Sequence, residues 1–162
     1  MTEQHSKNPF LKPGTVKIVQ GSIVNPQNGG LRFVLSVTNM VGKTEGPFYP
    51  VIEKKWPKVK QEAKGWYNTR TGKYALGAVN TTAVQSDVWV LHLLCQDDEL
   101  QTDLAALHTC LKEVCKMAKY ERASVAVSSV LTEAIPELTT VLGTELVEQG
   151  VSVTFYEETV NA

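Results

Sequence analysis

Val88-Trp89-Val90-Leu91-His92-Leu93-Leu94-Cys95 is the most apolar stretch of the chain. Its length suits a strand, and its near-continuous apolar character marks a strand covered on both faces. Val88 to Cys95 is therefore read as a central strand. Just downstream, Leu100, Leu104, Leu107, Leu111, Val114 and Ala118 recur at steps of four and three. That spacing lines one face of a helix from Glu99 to Lys119. A doubly covered strand beside an amphipathic helix predicts an α/β fold, with helices on both faces of a central, mixed β-sheet.

Working outward, Ala123 to Ser128 reads as a short strand. Glu133 to Gln149 reads as a helix with Ile135, Leu138, Leu142 and Leu146 on one side, ended by Gly150. Val151 to Tyr156 is the last strand. This half runs strand, helix, strand, helix, strand, an order that favours parallel pairing through crossovers. Upstream, Thr15 to Gln20 and Leu31 to Thr38 are strands separated by a turn at Asn25 to Gly30. Asn39 to Pro50 reads as a loop. Val51 to Lys64 is a basic helical segment broken or started by Pro57, and Lys73 to Val84 is one strand or two.

The 162 residues suit one domain, spanning 15–158 after a frayed tail at 1–14. Apolar residues make up 43% and charged residues 20% of the chain, an ordinary globular balance. A formal net charge of -1 gives no argument for nucleic acid or an anionic membrane. No apolar run has the length of a membrane span, and Met1 to Pro9 lacks a secretory apolar core. Cys95, Cys110 and Cys115 are odd in number and lack CxxC spacing, which disfavours a disulfide framework or a zinc site. They read as small buried side chains in a reducing cytoplasm. No cofactor is implied.

Ligands of open α/β sheets bind beyond the carboxyl ends of the strands. The loops there are Gly21 to Gly30, Asn39 to Pro50 and Ser128 to Pro136. The chain has no GxSxG, no GxGxxG and no phosphate-binding Walker loop. Gly42-Lys43-Thr44 matches the end of that loop, but Val37 stands where its first glycine belongs. His92, inside the apolar strand, reads as a core histidine. His108 lies on the long helix without a metal-ligand neighbour. Lys54, Lys55, Lys58, Lys60 and Lys64, with Trp56, Trp66 and Tyr67, read as a solvated face anchored by its aromatics rather than a specific nucleic-acid surface. Asp97, Asp98, Glu99 and Asp103 complement a helix dipole.

Taken in order, the segments resemble a macro domain. Val16-Lys17-Ile18-Val19-Gln20-Gly21-Ser22-Ile23 is similar to the family's opening strand and Gly-Asp-Ile turn. Leu35-Ser36-Val37-Thr38-Asn39 is similar to its second strand, and Val51 to Pro57 to the following helix. Val88 to Gln96, the helix with Leu104 and Leu111, and Val151 to Tyr156 complete the order. The nearest branch contains small ADP-ribosyl-protein hydrolases and ADP-ribose 1''-phosphate phosphatases.

The resemblance implies a three-layer fold and a site for ADP-ribose or a related nucleotide. It assigns Ser22 and Ile23 to the adenine end and Asn39 to the approach to the distal ribose, with their neighbours Gly21 and Thr38 among the ligand-binding residues. Gly42 and Gly46 fall in the first phosphate-facing loop, and Ser128, Ser129, Val130 and Leu131 in the second. The sequence departs from the family at these places. Ser22 replaces the Asp that contacts the adenine amine. Pro47, which has no N–H, and Phe48 stand in the first loop. The second loop lacks glycine, and no Lys and Asp pair aligns with that of the hydrolases. Three readings stand: a nucleotide-binding module with weak or altered binding and without efficient catalysis, a hydrolase of ADP-ribose derivatives, and a protein-interaction domain with a closed pocket.

Overall fold

The computed structural model describes residues 12–25, 29–43, 48–69 and 74–158, without the Phe48 side chain. Among the described residues, six strands form one sheet in the order β1-β6-β5-β2-β4-β3. They are β1 (Val16–Gln20), β2 (Arg32–Asn39), β3 (Val79–Gln85), β4 (Val88–Gln96), β5 (Ser124–Ser128) and β6 (Val153–Glu157). All neighbours pair in parallel except β3 with β4. The sheet is mixed, and α-helices lie on both of its faces. Every residue of β2 is buried, and β4 is buried at all but Trp89 and Gln96. Apolar continuity in these two runs therefore reported burial on both faces.

The helices are α1 (Phe48–Lys55), α2 (Pro57–Thr69), α3 (Leu104–Glu121), α4 (Ser129–Ala134) and α5 (Leu138–Leu142), and α5 runs into a π-helical turn at Gly143–Val147. Helix α3 starts later than the apolar spacing suggests. Asp97 Oδ1 accepts from the Glu99 and Gln101 N–H groups, and Leu100 has a φ of 63°. These residues form a turn, and Asp103 caps the helix by accepting from the Ala106 N–H at 2.9 Å. Leu100 and Leu104 are consequently exposed, while Leu107, Leu111, Val114 and Ala118 pack in the core. The acidic cluster thus supplies one cap and one turn.

Further expectations are corrected. The helix read over Glu133 to Gln149 is broken at Pro136, which cannot donate a helix hydrogen bond. The connection read at Ser128 to Pro136 is largely α4, capped by Ser128. The loop from Asn39 gives way to α1 at Phe48, where Pro50 sits in the first turn and needs no N–H. Trp56 separates α1 from α2, so Pro57 opens a new helix. Of the strand read over Lys73 to Val84, Val79–Gln85 is observed, and residues 70–73 lie outside the described residues.

Candidate functional site

Five mutually parallel strands end at one edge of the sheet, so the segments after β1, β2 and β5 meet there, joined by Glu158 after β6. The Gly21 N–H donates to the Glu157 carbonyl at 3.0 Å, extending the β1–β6 ladder. Its φ of +148° then turns the chain out of the sheet, a conformation almost restricted to glycine. Ser22 closes this turn: its Oγ accepts from the Val24 N–H and its carbonyl from the Asn25 N–H. The Ile23 side chain is fully buried.

A carboxylate ties three strand ends together. The Ile23 N–H donates to Glu158 Oε2 at 2.8 Å, and the Ser128 hydroxyl donates to the same oxygen at 3.1 Å. Ser128 Oγ also accepts from the Val130 N–H at 3.1 Å, which caps α4. Ser129 Oγ accepts from the Glu158 N–H at 3.1 Å. Ser128 and Leu131 are buried, while Ser129 and Val130 are half-buried at the rim. Bonds from charged acceptors to backbone N–H groups are stronger than neutral ones, so the β1, β5 and β6 ends form a stiff corner. Sequence reasoning missed Glu158. The available signal was an acid directly after the closing strand.

At the β2 end, Thr38 and Asn39 are buried. Asn39 Oδ1 accepts from the Val41 and Lys43 N–H groups, both at 3.1 Å, and its Nδ2 donates to the Lys43 carbonyl at 2.9 Å. One side chain therefore folds the loop from Met40 to Lys43 around itself. The Tyr74 hydroxyl donates to the Asn39 carbonyl at 2.6 Å. Tyr74 meets Trp66 and Tyr67 edge-on, with centroids 4.7 and 5.5 Å apart. Gly42 has a φ of +71°, and a Cβ there would lie 2.5 Å from the Tyr67 ring. The aromatic cluster thus gives Gly42 a packing role. Gly46 and Pro47 lie outside the described residues.

Titratable groups near this loop are tuned by burial. Burial pushes the Tyr49 hydroxyl well up, with smaller contributions from Cys95 and Glu53. It also raises the Glu53 carboxyl, against the pull of Lys60. His92 is buried in β4, its Nε2 is 3.0 Å from Thr82 Oγ1, and burial lowers its pKa to about 4. It is a neutral core histidine at neutral pH. The three cysteines are free and buried, and burial pushes the Cys110 thiol up to about 12. Lys54, Lys55, Lys58, Lys60 and Lys64 are exposed, while Trp56 and Trp66 are buried. Among the described residues, no group of three or more His, Cys, Asp or Glu side chains is placed to hold a metal ion, and no helix is long and apolar enough to cross a membrane.

The architecture is that of a three-layer α/β domain in which the β1, β2, β5 and β6 ends meet at one edge of the sheet. More narrowly, the chain has the macrodomain fold. It superposes on a macrodomain protein from Streptomyces coelicolor with a TM-score of 0.80 and 23% identity, covering 88% of this chain and 98% of that one. A protein of unknown function from Bacteroides thetaiotaomicron matches with a TM-score of 0.79 and 22% identity, covering 90% and 99%. DarTG of Thermosipho africanus, solved in complex with ADP-ribose, matches with a TM-score of 0.63 and 14% identity, covering 88% of this chain and 42% of that one. No family model and no curated protein matches the sequence.

Proposed function

We propose that this domain binds ADP-ribose, or a related nucleotide, across the sheet edge between the Gly21–Ile23 turn, the Asn39–Gly42 loop and the Ser128–Leu131 segment, without efficient catalysis. The observation that supports this is the convergence of these segments at the carboxyl ends of parallel strands, where ligands of such sheets bind. The fold is shared with a DarTG solved with ADP-ribose. Because one fold hosts many functions, the site residues carry the reading.

Ser22 and Ile23 form the adenine end. Glu158 supplies there the carboxylate that Ser22 lacks, held at the turn by the Ile23 N–H. Asn39 shapes the ribose-facing loop through its own hydrogen bonds. Val130 N–H is already engaged by Ser128, which reduces the backbone donors available to a diphosphate. Affinity is therefore weak, in the high micromolar range or poorer. Hydrolysis is slow because Glu158, the carboxylate at the adenine end, is held by two donors rather than poised on a water molecule. Calorimetric titration with ADP-ribose, ADP and AMP tests the binding. Weak, saturable heat that is largest for ADP-ribose is expected; sub-micromolar affinity, or clear turnover of an ADP-ribosylated substrate, overturns the account.

A further inference from the structure

A cavity lies toward the opposite end of the parallel strands. It measures about 180 Å³, and its lining includes Thr15, Lys17, Arg32, Ser124, Ser152 and Thr154. Arg32 and Ser124 are the first residues of β2 and β5, and Thr15 and Ser152 precede β1 and β6. Strand register explains why they share one face: Arg32 pairs with Ser124, Ala126 with Thr154, and Thr154 with Lys17. Paired residues point to the same side of a sheet, as do alternate residues of one strand. The cavity carries two cationic side chains and several hydroxyls, and among the described residues no acidic side chain lines it.

Arg32 is the unusual member. It is only 5% exposed, and among the described residues its ion pair uses Nη2, 2.8 Å from Asp87 Oδ2. Nε and Nη1 are buried without a hydrogen-bond partner among the described residues. A buried guanidinium with unmatched donors is unfavourable, and such groups in a folded protein call for a missing partner. Asp87 neutralises the charge only from the β3–β4 turn. Arg32 is one of two cationic side chains lining the pocket, the other being Lys17, and a small shift of the guanidinium would bring its unmatched donors to an anion held there.

We propose that this cavity is a second site, which binds a small oxyanion, phosphate or carboxylate, on Arg32 and Lys17 with hydroxyl support from Ser124 and Thr154. Guanidinium donors match the oxygens of both anions. The volume is smaller than that of ordinary drug-sized pockets, which selects an inorganic anion or the acid group of a short metabolite over a whole nucleotide. The site is independent of the nucleotide reading, because it uses none of the residues assigned to the rim.

The experiment is an NMR titration of the full chain, following the Arg32 Nε–H and the backbone amides of Lys17, Ser124 and Thr154. Inorganic phosphate and succinate are the two probes, and sodium chloride at matched ionic strength is the control. Saturable shifts at Arg32 Nε–H with either probe and not with chloride are expected, and the tighter probe identifies the anion class. Lys17→Gln, on the exposed edge strand, is expected to weaken binding several-fold, and Ser124→Ala less. Arg32→Lys, which keeps the charge but loses the guanidinium, is expected to abolish saturation if the variant folds. Absence of saturation into the tens of millimolar, identical shifts with chloride, or unchanged affinity in Lys17→Gln and Ser124→Ala overturns the proposal.

Discussion

Replacing Gly42 with Ala is expected to damage the β2 end of the rim through two separable effects. The first is backbone strain. A φ of +71° is unfavourable for an L-residue by roughly 1–2 kcal/mol. The second is steric: the new methyl would lie 2.5 Å from the Tyr67 ring, and overpacking of this kind costs about 1–3 kcal/mol. The sum, roughly 2–5 kcal/mol, lowers the melting temperature of a chain this size by roughly 10 °C. Gly30→Ala is the control. Its φ is +83° and no heavy atom lies within 4 Å of its Cβ position, so only the strain of about 1–2 kcal/mol applies. Urea denaturation of Gly42→Ala, Tyr67→Ala and the double variant isolates the clash. The double variant is expected to be more stable than the sum of the singles by about 1–3 kcal/mol. A Gly42→Ala variant no worse than Gly30→Ala, or a cycle additive within about 0.5 kcal/mol, refutes the packing role assigned to Tyr67.

Leu111→Ala, fully buried on α3, is expected to lose about 2–5 kcal/mol in denaturant melts, whereas exposed Leu104→Ala stays within about 0.5 kcal/mol; equal losses would misplace the helix face. Glu145 is opposed by burial, but bonds and charges from His108 at 2.7 Å and Lys112 at 3.0 Å hold its carboxyl below the usual value. A lowered folded pKa gives stability that is complete above the unfolded value of 4.5 and is lost as pH falls through the folded value. Glu145→Gln is therefore expected to flatten the decline of stability below pH 4.5, and an unchanged acid limb would count against the ion-pair cluster. His92 has a folded pKa of about 4 against 6.5 unfolded, so stability rises with pH between these values; an imidazole seen to protonate near 6.5 by NMR would contradict its burial. Glu158→Ala is expected to weaken ADP-ribose binding several-fold, and unaltered affinity would remove Glu158 from the adenine end.

The strands at Arg32–Asn39 and Val88–Gln96 were legible because burial on both faces leaves continuous apolar runs. Helix α3 was legible in its middle and misread at its start. Leu100 and Leu104 keep the helical spacing, yet the Asp97 turn intervenes before Asp103 caps the helix. Periodicity sees side-chain order and is blind to such a turn. The rim loops followed from strand order. Glu158 did not, because it reaches Ile23 across 135 residues through the β1–β6 pairing. Nor does spacing alone show that Tyr67 lies against Gly42. The orphan nitrogens of Arg32 are equally invisible in sequence, where an arginine opening a strand reads as an exposed charge.

The central claim, a nucleotide site at the carboxyl edge of the sheet, is tested most directly by titrating the isotopically labelled full chain with ADP-ribose and mapping the amide shifts. Saturable shifts clustered at Gly21 to Ile23, Asn39 to Gly42, Ser128 to Leu131 and Glu158, with a dissociation constant in the high micromolar range or weaker, are the result the account predicts. No saturation into the millimolar range, or shifts confined to residues away from that edge, would contradict it.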